Sequence, residues 1–130
     1  MDSITRINPY LLALIEQSFN ENFPKAFVKE IFLIESQVAG TAYYNLREIE
    51  PDINQNDIMI FIREPENSYD NKAIAILDKK GNKLGYIPKE KNEILANLLD
   101  AGKLVFGKLD DKMWLGDWLK LKIKVYLRDL

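Results

Sequence analysis

The sequence predicts a mainly β domain with helices, an α+β fold in which about six strands form a small barrel. Segments rich in Val, Ile, Phe and Tyr recur along the chain between turn residues, which is typical of strands. Two other segments repeat apolar residues at helical spacing. The 130 residues are the size of one domain. We therefore expect one barrel with an N-terminal helix and a second helix before the penultimate strand.

The first predicted element is a helix from Pro9 to Asn20. Asn8 is a favourable N-cap residue, and Pro9 suits the first helical position. The apolar stripe of this helix consists of Leu11, Leu12, Ile15 and Phe19. From Ala26 to Tyr44 the composition predicts one long or broken strand, which can bend at Ala39-Gly40.

The middle of the chain contains three further predicted strands. The polar stretch from Asn45 to Asn56 has room for a short helical turn and leads into a strand from Asp57 to Arg63. The next strand runs from Lys72 to Asp78. We expect it to form a hairpin with Lys83 to Ile87, because the turn residues Lys79 to Asn82 separate the two.

A second helix is predicted to begin at Pro88 and to end before Gly102, which lies where a left-handed C-terminal cap belongs. Its apolar stripe consists of Ile94, Leu95, Leu98 and Leu99. A strand from Lys103 to Leu109 follows, and the polar stretch from Asp110 to Asp117, with Trp114 near its middle, is interpreted as a loop.

The clearest strand is Lys120 to Leu127, which alternates strictly between polar and apolar residues. Its lysines, Lys120, Lys122 and Lys124, share one face. Like charges in a row repel each other, so another advantage must favour them. They either guard an exposed sheet edge against pairing with other molecules or form a track for phosphate groups. The sequence leaves both interpretations open.

The composition excludes several kinds of active site. The chain contains no cysteine and no histidine, so disulfides, thiolate catalysis and zinc sites built from these residues are excluded. The adjacent carboxylates Asp110 and Asp111 alone do not make a two-metal site, and the chain has no Gly-rich phosphate loop. We expect neither enzymatic activity nor a metal or other cofactor.

The charge and the hydropathy pattern restrict the kinds of partner that we expect for this chain. No apolar run approaches the roughly 18 residues of a membrane span, and the N-terminus lacks the pattern of a secretory signal, so we expect a cytoplasmic protein without a membrane partner. Residues 1–65 carry 5 basic and 10 acidic side chains, whereas residues 66–130 carry 13 and 10. The net charge of −2 argues against non-specific coating of nucleic acid but leaves capture of a strand end possible.

The candidate site is the segment from Arg63 to Ile74, where polar residues are concentrated between two apolar strands. Within ten positions it provides an aromatic ring, Tyr69, a carboxylate, Asp70, two amides and a cation. Such groups can hold a small polar ligand or the end of a nucleotide chain. Alternatively, Asp70 and Asn67 only shape the loop by accepting hydrogen bonds from nearby backbone amides.

Three motifs in the chain, Val38 to Tyr44, Arg63 to Ile74 and Gly85 to Lys89, together resemble the HIRAN domain. The resemblance covers about Ile34 to Leu127. We therefore divide the chain into a HIRAN-like barrel domain, residues 34–130, and residues 1–33, which hold the N-terminal helix and the start of the first strand and lie outside the match.

The resemblance implies a modified barrel of the oligonucleotide-binding (OB-like) or SH3-like kind that captures the 3′ end of single-stranded DNA, in repair, replication or mobile-element biology. Tyr43 or Tyr44 would stack on bases together with Tyr69, and the Asp70 carboxylate would accept a hydrogen bond from the 3′ hydroxyl. The residues that the resemblance assigns to nucleic-acid binding are Tyr43, Tyr44, Asn67, Tyr69, Asp70, Tyr86 and Lys89.

Within this set, the resemblance gives Asn67 a polar contact and Lys89 a phosphate contact. The chain departs from the family pattern at Ala42, where a basic residue is common, and at Tyr86, where some members have histidine. A different class of function remains open. The barrel could be a protein-interaction or scaffolding module that forms homo-oligomers through its N-terminal helix, with any ATPase supplied by another chain.

Overall fold

Six antiparallel strands form one sheet in the order β1-β6-β5-β2-β3-β4. The structure is a computed structural model that describes residues 29–129. Its elements are β1 (Lys29–Gln37), β2 (Ile58–Arg63), β3 (Ile74–Leu77), β4 (Lys83–Tyr86), helix α1 (Lys89–Asp100), β5 (Leu104–Leu115) and β6 (Trp118–Asp129). The six strands, the β3–β4 hairpin and the helix before the penultimate strand are confirmed. The predicted helix from Pro9 to Asn20 lies outside the described residues.

The segment that follows β1 joins the two ends of the sheet. The Val38 amide donates to the Leu121 carbonyl at 2.9 Å, and Ala39 and Tyr86 then exchange two backbone hydrogen bonds of 2.8 Å each. The chain leaving β1 thus also pairs with β4, and the sheet curls into a half-barrel. A Cβ atom at Gly85 would lie 2.3 Å from the Ala39 carbonyl oxygen, so this close approach requires glycine.

The core lies inside the curve of the sheet. Met59 and Phe61 of β2 point into it, and Leu95 and Ala96 of α1 cover it on one side. Ile94, which we predicted in the apolar stripe of this helix, is instead 73% exposed. The buried residues of α1 are Asn92, Leu95 and Ala96, and Ile94 projects away from them because successive helical residues are about 100° apart.

The prediction of a strand from Ala26 through to Tyr44 is wrong in its second half. Within the described residues β1 ends at Gln37, and Gly40, with φ of +79°, begins a single 3₁₀ turn from Thr41 to Tyr43. The bend at Ala39-Gly40 is therefore confirmed. The Thr41 hydroxyl fixes the turn to the sheet by donating to the Leu119 carbonyl at 2.6 Å.

The predicted loop from Asp110 to Asp117 is also wrong, because β5 continues as a strand to Leu115 and pairs with β6 along this length. The polar residues from Asp110 to Lys112 therefore lie in a strand and not in a loop. An irregularity in the pairing lies between Leu109 and Asp111, and the indole N–H of Trp114 donates to the Glu50 carboxylate at 2.9 Å. The strand thus reaches a tight turn at Gly116.

The interpretation of the lysine row as the guard of a sheet edge is wrong as well. The strand that carries it, β6, pairs with β1 on one side and with β5 on the other, so it is an interior strand. Lys124 approaches Asp110 at 3.8 Å. The phosphate-track interpretation stays a prediction.

Candidate functional site

The connection from β2 to β3, residues 64–73, is closed by its own backbone. The Glu64 amide donates to the Ala73 carbonyl at 2.9 Å, the Asn67 amide to the Glu64 carbonyl at 3.1 Å, and the Ala73 amide to the Asp70 carbonyl at 3.1 Å. These bonds fold the segment into a compact loop at the end of the hairpin. We call it the β2–β3 loop.

Asn67 organises this loop from within. Its side-chain oxygen accepts hydrogen bonds from the amides of Tyr69 at 2.9 Å and Asp70 at 3.1 Å, and its NH₂ group donates to Glu64 Oε1 at 3.0 Å. The interpretation in which Asn67 shapes the loop is therefore confirmed. Whether it also contacts a ligand stays a prediction.

Asp70 both shapes the loop and presents a charge at its surface. One carboxylate oxygen accepts a hydrogen bond from the Lys72 amide at 2.9 Å, and the other accepts one from the Asn92 side chain on α1 at 2.7 Å. The backbone hydrogen bond and then the Asn92 hydrogen bond lower the pKa of Asp70, with a smaller contribution from the charge of Lys89. The residue is partly buried, and each carboxylate oxygen accepts one of these two hydrogen bonds and keeps a second lone pair.

A buried ion pair lies beneath the loop. Glu64 is only 6% exposed, and its carboxylate accepts hydrogen bonds from the Tyr86 hydroxyl at 2.8 Å and from Lys83 Nζ at 3.1 Å. Burial opposes the charge on Lys83, but its hydrogen bonds to Tyr86 and Glu64 outweigh this and raise the pKa of Lys83. Burial also raises the pKa of Tyr86 to about 12, so its phenol stays neutral at physiological pH.

The two tyrosines of the first motif have different environments. Tyr43 is 88% exposed, whereas Tyr44 is half-buried against the core, with its ring centroid 5.6 Å from Lys83 Nζ. The expectation that both tyrosines belong to a strand is wrong, since Tyr43 ends a 3₁₀ turn. The contact with Lys83 brings this turn to one side of the buried ion pair.

The remaining predicted residues lie around the same place. Tyr69 projects from the loop with 92% of its surface exposed. Lys89 is exposed in the first turn of α1, where backbone N–H groups also favour anions. The described contacts thus link Tyr44, Tyr86, Asn67 and Asp70 in one polar network.

Three residues of the network, Glu64, Lys83 and Asn92, were missed by sequence reasoning. Asn92 carried a usable signal, because it lies three positions before the buried Leu95 and therefore on the apolar face of α1. A polar residue on such a face needs a buried partner. Adjacency in the sequence would suggest an ion pair between Arg63 and Glu64. Arg63 instead binds Asp100 at 2.9 Å.

The part of the chain that the structure describes contains no group of three or more acidic residues placed to hold a metal ion. In the same part, no helix is long and apolar enough to cross a membrane. The absence of enzymatic activity stays a prediction.

The fold is similar to that of several solved structures. A protein from Lactobacillus plantarum aligns with 79% of this chain and 99% of its own, with a TM-score of 0.69 and 22% identity. The crystal structure of the HIRAN domain of human HLTF aligns with 76% of this chain and 78% of that chain, with a TM-score of 0.61 and 22% identity. The NMR structure of the HLTF HIRAN domain in its DNA-bound conformation gives a TM-score of 0.53 at 20% identity, over 77% and 79% of the two chains.

Sequence relatives are much longer proteins. A putative SWI/SNF-related matrix-associated actin-dependent regulator of chromatin, subfamily A member 3-like 1, from Arabidopsis thaliana is 32% identical over 81 residues, which are 60% of this chain and 9% of that protein. The helicase-like transcription factor of Oryctolagus cuniculus is 34% identical over 67 residues, which are 52% of this chain and 6% of that protein. This chain thus spans less than a tenth of either relative.

The family model of the HIRAN domain matches residues 31–128, nearly the whole described range. The three motifs that carried the resemblance all lie inside this match. The OB-like barrel fold that this resemblance implied agrees with the solved HIRAN structure, and in this chain the sheet curls into a half-barrel. The chain belongs to the HIRAN domain family.

Proposed function

We propose that this chain is a DNA-binding module that captures the 3′ end of single-stranded DNA. Support comes from the HIRAN domain of HLTF, which shares this fold and has been solved in a DNA-bound conformation. The setting that we propose is DNA repair, replication or mobile-element biology, with any ATPase supplied by another chain.

The observation that carries the proposal is the pairing of exposed aromatic rings with an ionised carboxylate. Tyr43 and Tyr69 are 88% and 92% exposed, and the contacts of Lys83 and Glu64 connect the segments that bear them. Stacking of a base on an aromatic ring contributes about 1–3 kcal/mol and tolerates any base. Two such rings suit a ligand read by its end and not by its sequence.

We assign the remaining contacts with DNA to polar and charged side chains. Asp70, ionised and with unused lone pairs, would accept the hydrogen bond of the terminal 3′ hydroxyl. Lys89 would meet a phosphate at the N-terminus of α1. Tyr44, Asn67 and Tyr86 are engaged with Lys83 or Glu64, so we propose that they mainly support the site from behind.

The test is a titration of labelled oligonucleotides that differ only in their 3′ end. The wild-type protein should bind a strand with a 3′ hydroxyl more tightly than the same strand with a 3′ phosphate, because the phosphate brings negative charge against Asp70. Asp70→Asn should remove most of that difference. Strands with altered 5′ ends are the control and should bind alike. Equal affinity of the wild-type protein for both 3′ ends would reject end recognition.

One observation favours a second candidate, a protein-interaction module. Strand β1 lies at an edge of the sheet and exposes 43% of Ile31 and 52% of Phe32. An edge strand with exposed apolar side chains can pair with another chain. Mass measurement in solution tests this candidate: an oligomer that Phe32→Glu converts to a folded monomer would support assembly through the edge of β1. An oligomer that becomes a folded monomer without residues 1–25 would support assembly through the N-terminal segment.

A further inference from the structure

We propose that Glu64 is a positioning residue that sets the conformation of the β2–β3 loop and thereby the preference for a 3′ hydroxyl. This inference rests on the proposed function for its effect on DNA. Its structural part concerns the ligand-free protein alone and can be tested separately.

The first step of the argument is the origin of the three donors to Glu64. Lys83 and Tyr86 are the first and last residues of β4, whereas Asn67 belongs to the β2–β3 loop. The carboxylate therefore ties the loop to a second strand of the sheet.

The second step concerns the hydrogen bonds accepted by the side-chain oxygen of Asn67. Its oxygen accepts hydrogen bonds from the amides of Tyr69 and Asp70, the two residues assigned to the terminal nucleotide. A path of two hydrogen-bonded links therefore runs from the buried Glu64 carboxylate to the backbone that presents the ring and the acid.

The third step is the rigidity of the anchor. The side chains of Glu64 and Lys83 are 7% and 15% exposed, and Lys83 also contacts the Tyr86 hydroxyl and lies over the Tyr86 ring, 4.2 Å from its centroid. Burying a carboxylate costs much free energy unless it is paired and hydrogen-bonded. These contacts meet that need and hold the carboxylate in one place.

A reciprocal exchange tests the link. Asn67→Asp still accepts the two loop amides but loses the donor and faces Glu64 with a second carboxylate. In Glu64→Gln, one carboxamide cannot offer oxygen to both Asn67 and Lys83. The double variant Glu64→Gln/Asn67→Asp restores the link between these two positions with its polarity reversed, because the new carboxamide at position 64 donates to the new carboxylate at position 67 while its oxygen faces Lys83. The Tyr86 hydroxyl, which donates to the same Glu64 oxygen as Asn67, loses that acceptor, so Tyr86→Phe is the matched control for this loss. The double variant also keeps the net charge of the wild-type protein.

The first measurement is hydrogen exchange of the Tyr69 and Asp70 amides by NMR without DNA. Loss of one hydrogen bond, at its net contribution to stability, corresponds to about a two- to tenfold change in the exchange rate. Each single variant should exchange faster at these amides by about that factor, and the double variant should return to within about twofold of wild type. The Lys80 and Asn82 amides, which donate to Asp78 in the neighbouring turn, are the internal control and should not change.

The second measurement is the ratio of affinities for strands with 3′ hydroxyl and 3′ phosphate ends. It should fall in the single variants and recover in the double variant. Glu64 would be merely a fold stabiliser if the single variants lowered the melting temperature but left exchange at Tyr69 and Asp70 unchanged, or if the double variant failed to recover. If a single variant does not fold, the double variant still decides, since fast exchange at both amides in a folded double variant overturns the proposal.

The two proposals fail differently. If wild-type protein does not distinguish the 3′ ends while exchange follows the predicted pattern, the DNA proposal fails and the structural link holds. If wild-type protein distinguishes the ends and exchange does not respond, end recognition holds and Glu64 has no positioning role.

Discussion

Two neighbouring connections of the sheet are organised by an aspartate, but they use it differently. In the turn between β3 and β4, Asp78 is 4% exposed and accepts hydrogen bonds from the Lys80 amide and from both the amide and the side chain of Asn82. In the β2–β3 loop, the Asp70 carboxylate accepts one bond from its own loop, given by the Lys72 amide, and one from Asn92 on α1.

The origin of the donors explains the difference. Asp78 is satisfied within five residues and is buried by its own turn, which leaves only the exposed Lys79, Lys80 and Gly81 at the tip. Asp70 takes one of its two side-chain bonds from α1, and the residue remains partly exposed next to the exposed Tyr69. One connection is a turn that buries its aspartate, whereas the other keeps its aspartate partly exposed next to an exposed aromatic ring. The following predictions, from the largest effect to the smallest, test that contrast.

The largest expected effect concerns the ion pair beneath the loop. Lys83→Met leaves the buried Glu64 carboxylate without its cation, and breaking a buried pair costs about 3–5 kcal/mol. We expect a loss of about 2–4 kcal/mol in the free energy of unfolding, because both side chains retain slight exposure. Urea unfolding measures it. Lys80→Met in the β3–β4 turn, whose pair with Asp52 is largely exposed, is the control and should change stability by less than about 1 kcal/mol. Equal losses of unfolding free energy in the two variants would show that the pair beneath the β2–β3 loop contributes no more than the exposed pair of the β3–β4 turn.

The next effect concerns binding. Tyr69→Ala removes a stacking surface and should weaken single-stranded DNA binding by about 1–3 kcal/mol, roughly five- to 150-fold. Stability should hardly change, because the ring is 92% exposed. Tyr69→Phe keeps the ring and serves as the control, with affinity close to that of the wild-type protein. Fluorescence titration with short oligonucleotides measures both variants. Unchanged affinity in Tyr69→Ala would remove this residue from the site.

The third effect concerns Asp78, where a substitution should lower stability without changing DNA binding. Asp78→Asn replaces a carboxylate oxygen with an NH₂ group that faces donors in a buried turn, so we expect about 1–3 kcal/mol of destabilisation. Single-stranded DNA binding at a temperature where the variant is folded should not change. A binding loss as large as that of Tyr69→Ala would show that the β3–β4 turn belongs to the site.

Local sequence patterns predicted much of the fold. Alternation gave β6, the turn residues gave the β3–β4 hairpin, and Pro88 with Gly102 bracketed α1 closely. The extension of β5 through Asp110 was missed because its polar residues lie on the outside of a long hairpin. Their strand conformation is fixed by pairing with β6, which a local pattern does not report.

The candidate site was predictable only where it is continuous in sequence. Tyr69 and Asp70 are neighbours within one motif, so their proximity needs no tertiary information. Glu64 contacts Lys83, and Asp70 contacts Asn92, only because the fold brings the β2–β3 loop, β4 and α1 together. The first strand was extended to Tyr44 because its composition favours strand. The closure of the sheet at Ala39 and Gly85 instead turns the chain there.

The smallest effect is a pH dependence specific to Asp70. The folded-state pKa of Asp70 is lowered, chiefly by the Lys72 amide and then by Asn92. A group of this kind contributes stability that is present above its unfolded pKa, about 3.9, and is lost as the pH falls through its lower folded value. The difference in free energy of unfolding between wild type and Asp70→Asn should therefore be constant near pH 6 and should shrink steadily below about pH 4.

Chemical unfolding at a series of pH values measures this difference, and subtraction of the two proteins removes the contributions of the other carboxylates. Single-stranded DNA that engages Asp70 through a hydroxyl donor should leave the onset of the loss near pH 4, where the unfolded pKa sets it, but should enlarge the difference near pH 6 and let the loss continue to lower pH, because another hydrogen bond to the charged form lowers the folded pKa further. A 3′-phosphate strand should cause neither change. If the gap between wild type and variant stays the same from pH 6 to pH 2.5, the Asp70 carboxylate is not held by these donors, and the contrast with Asp78 loses its basis.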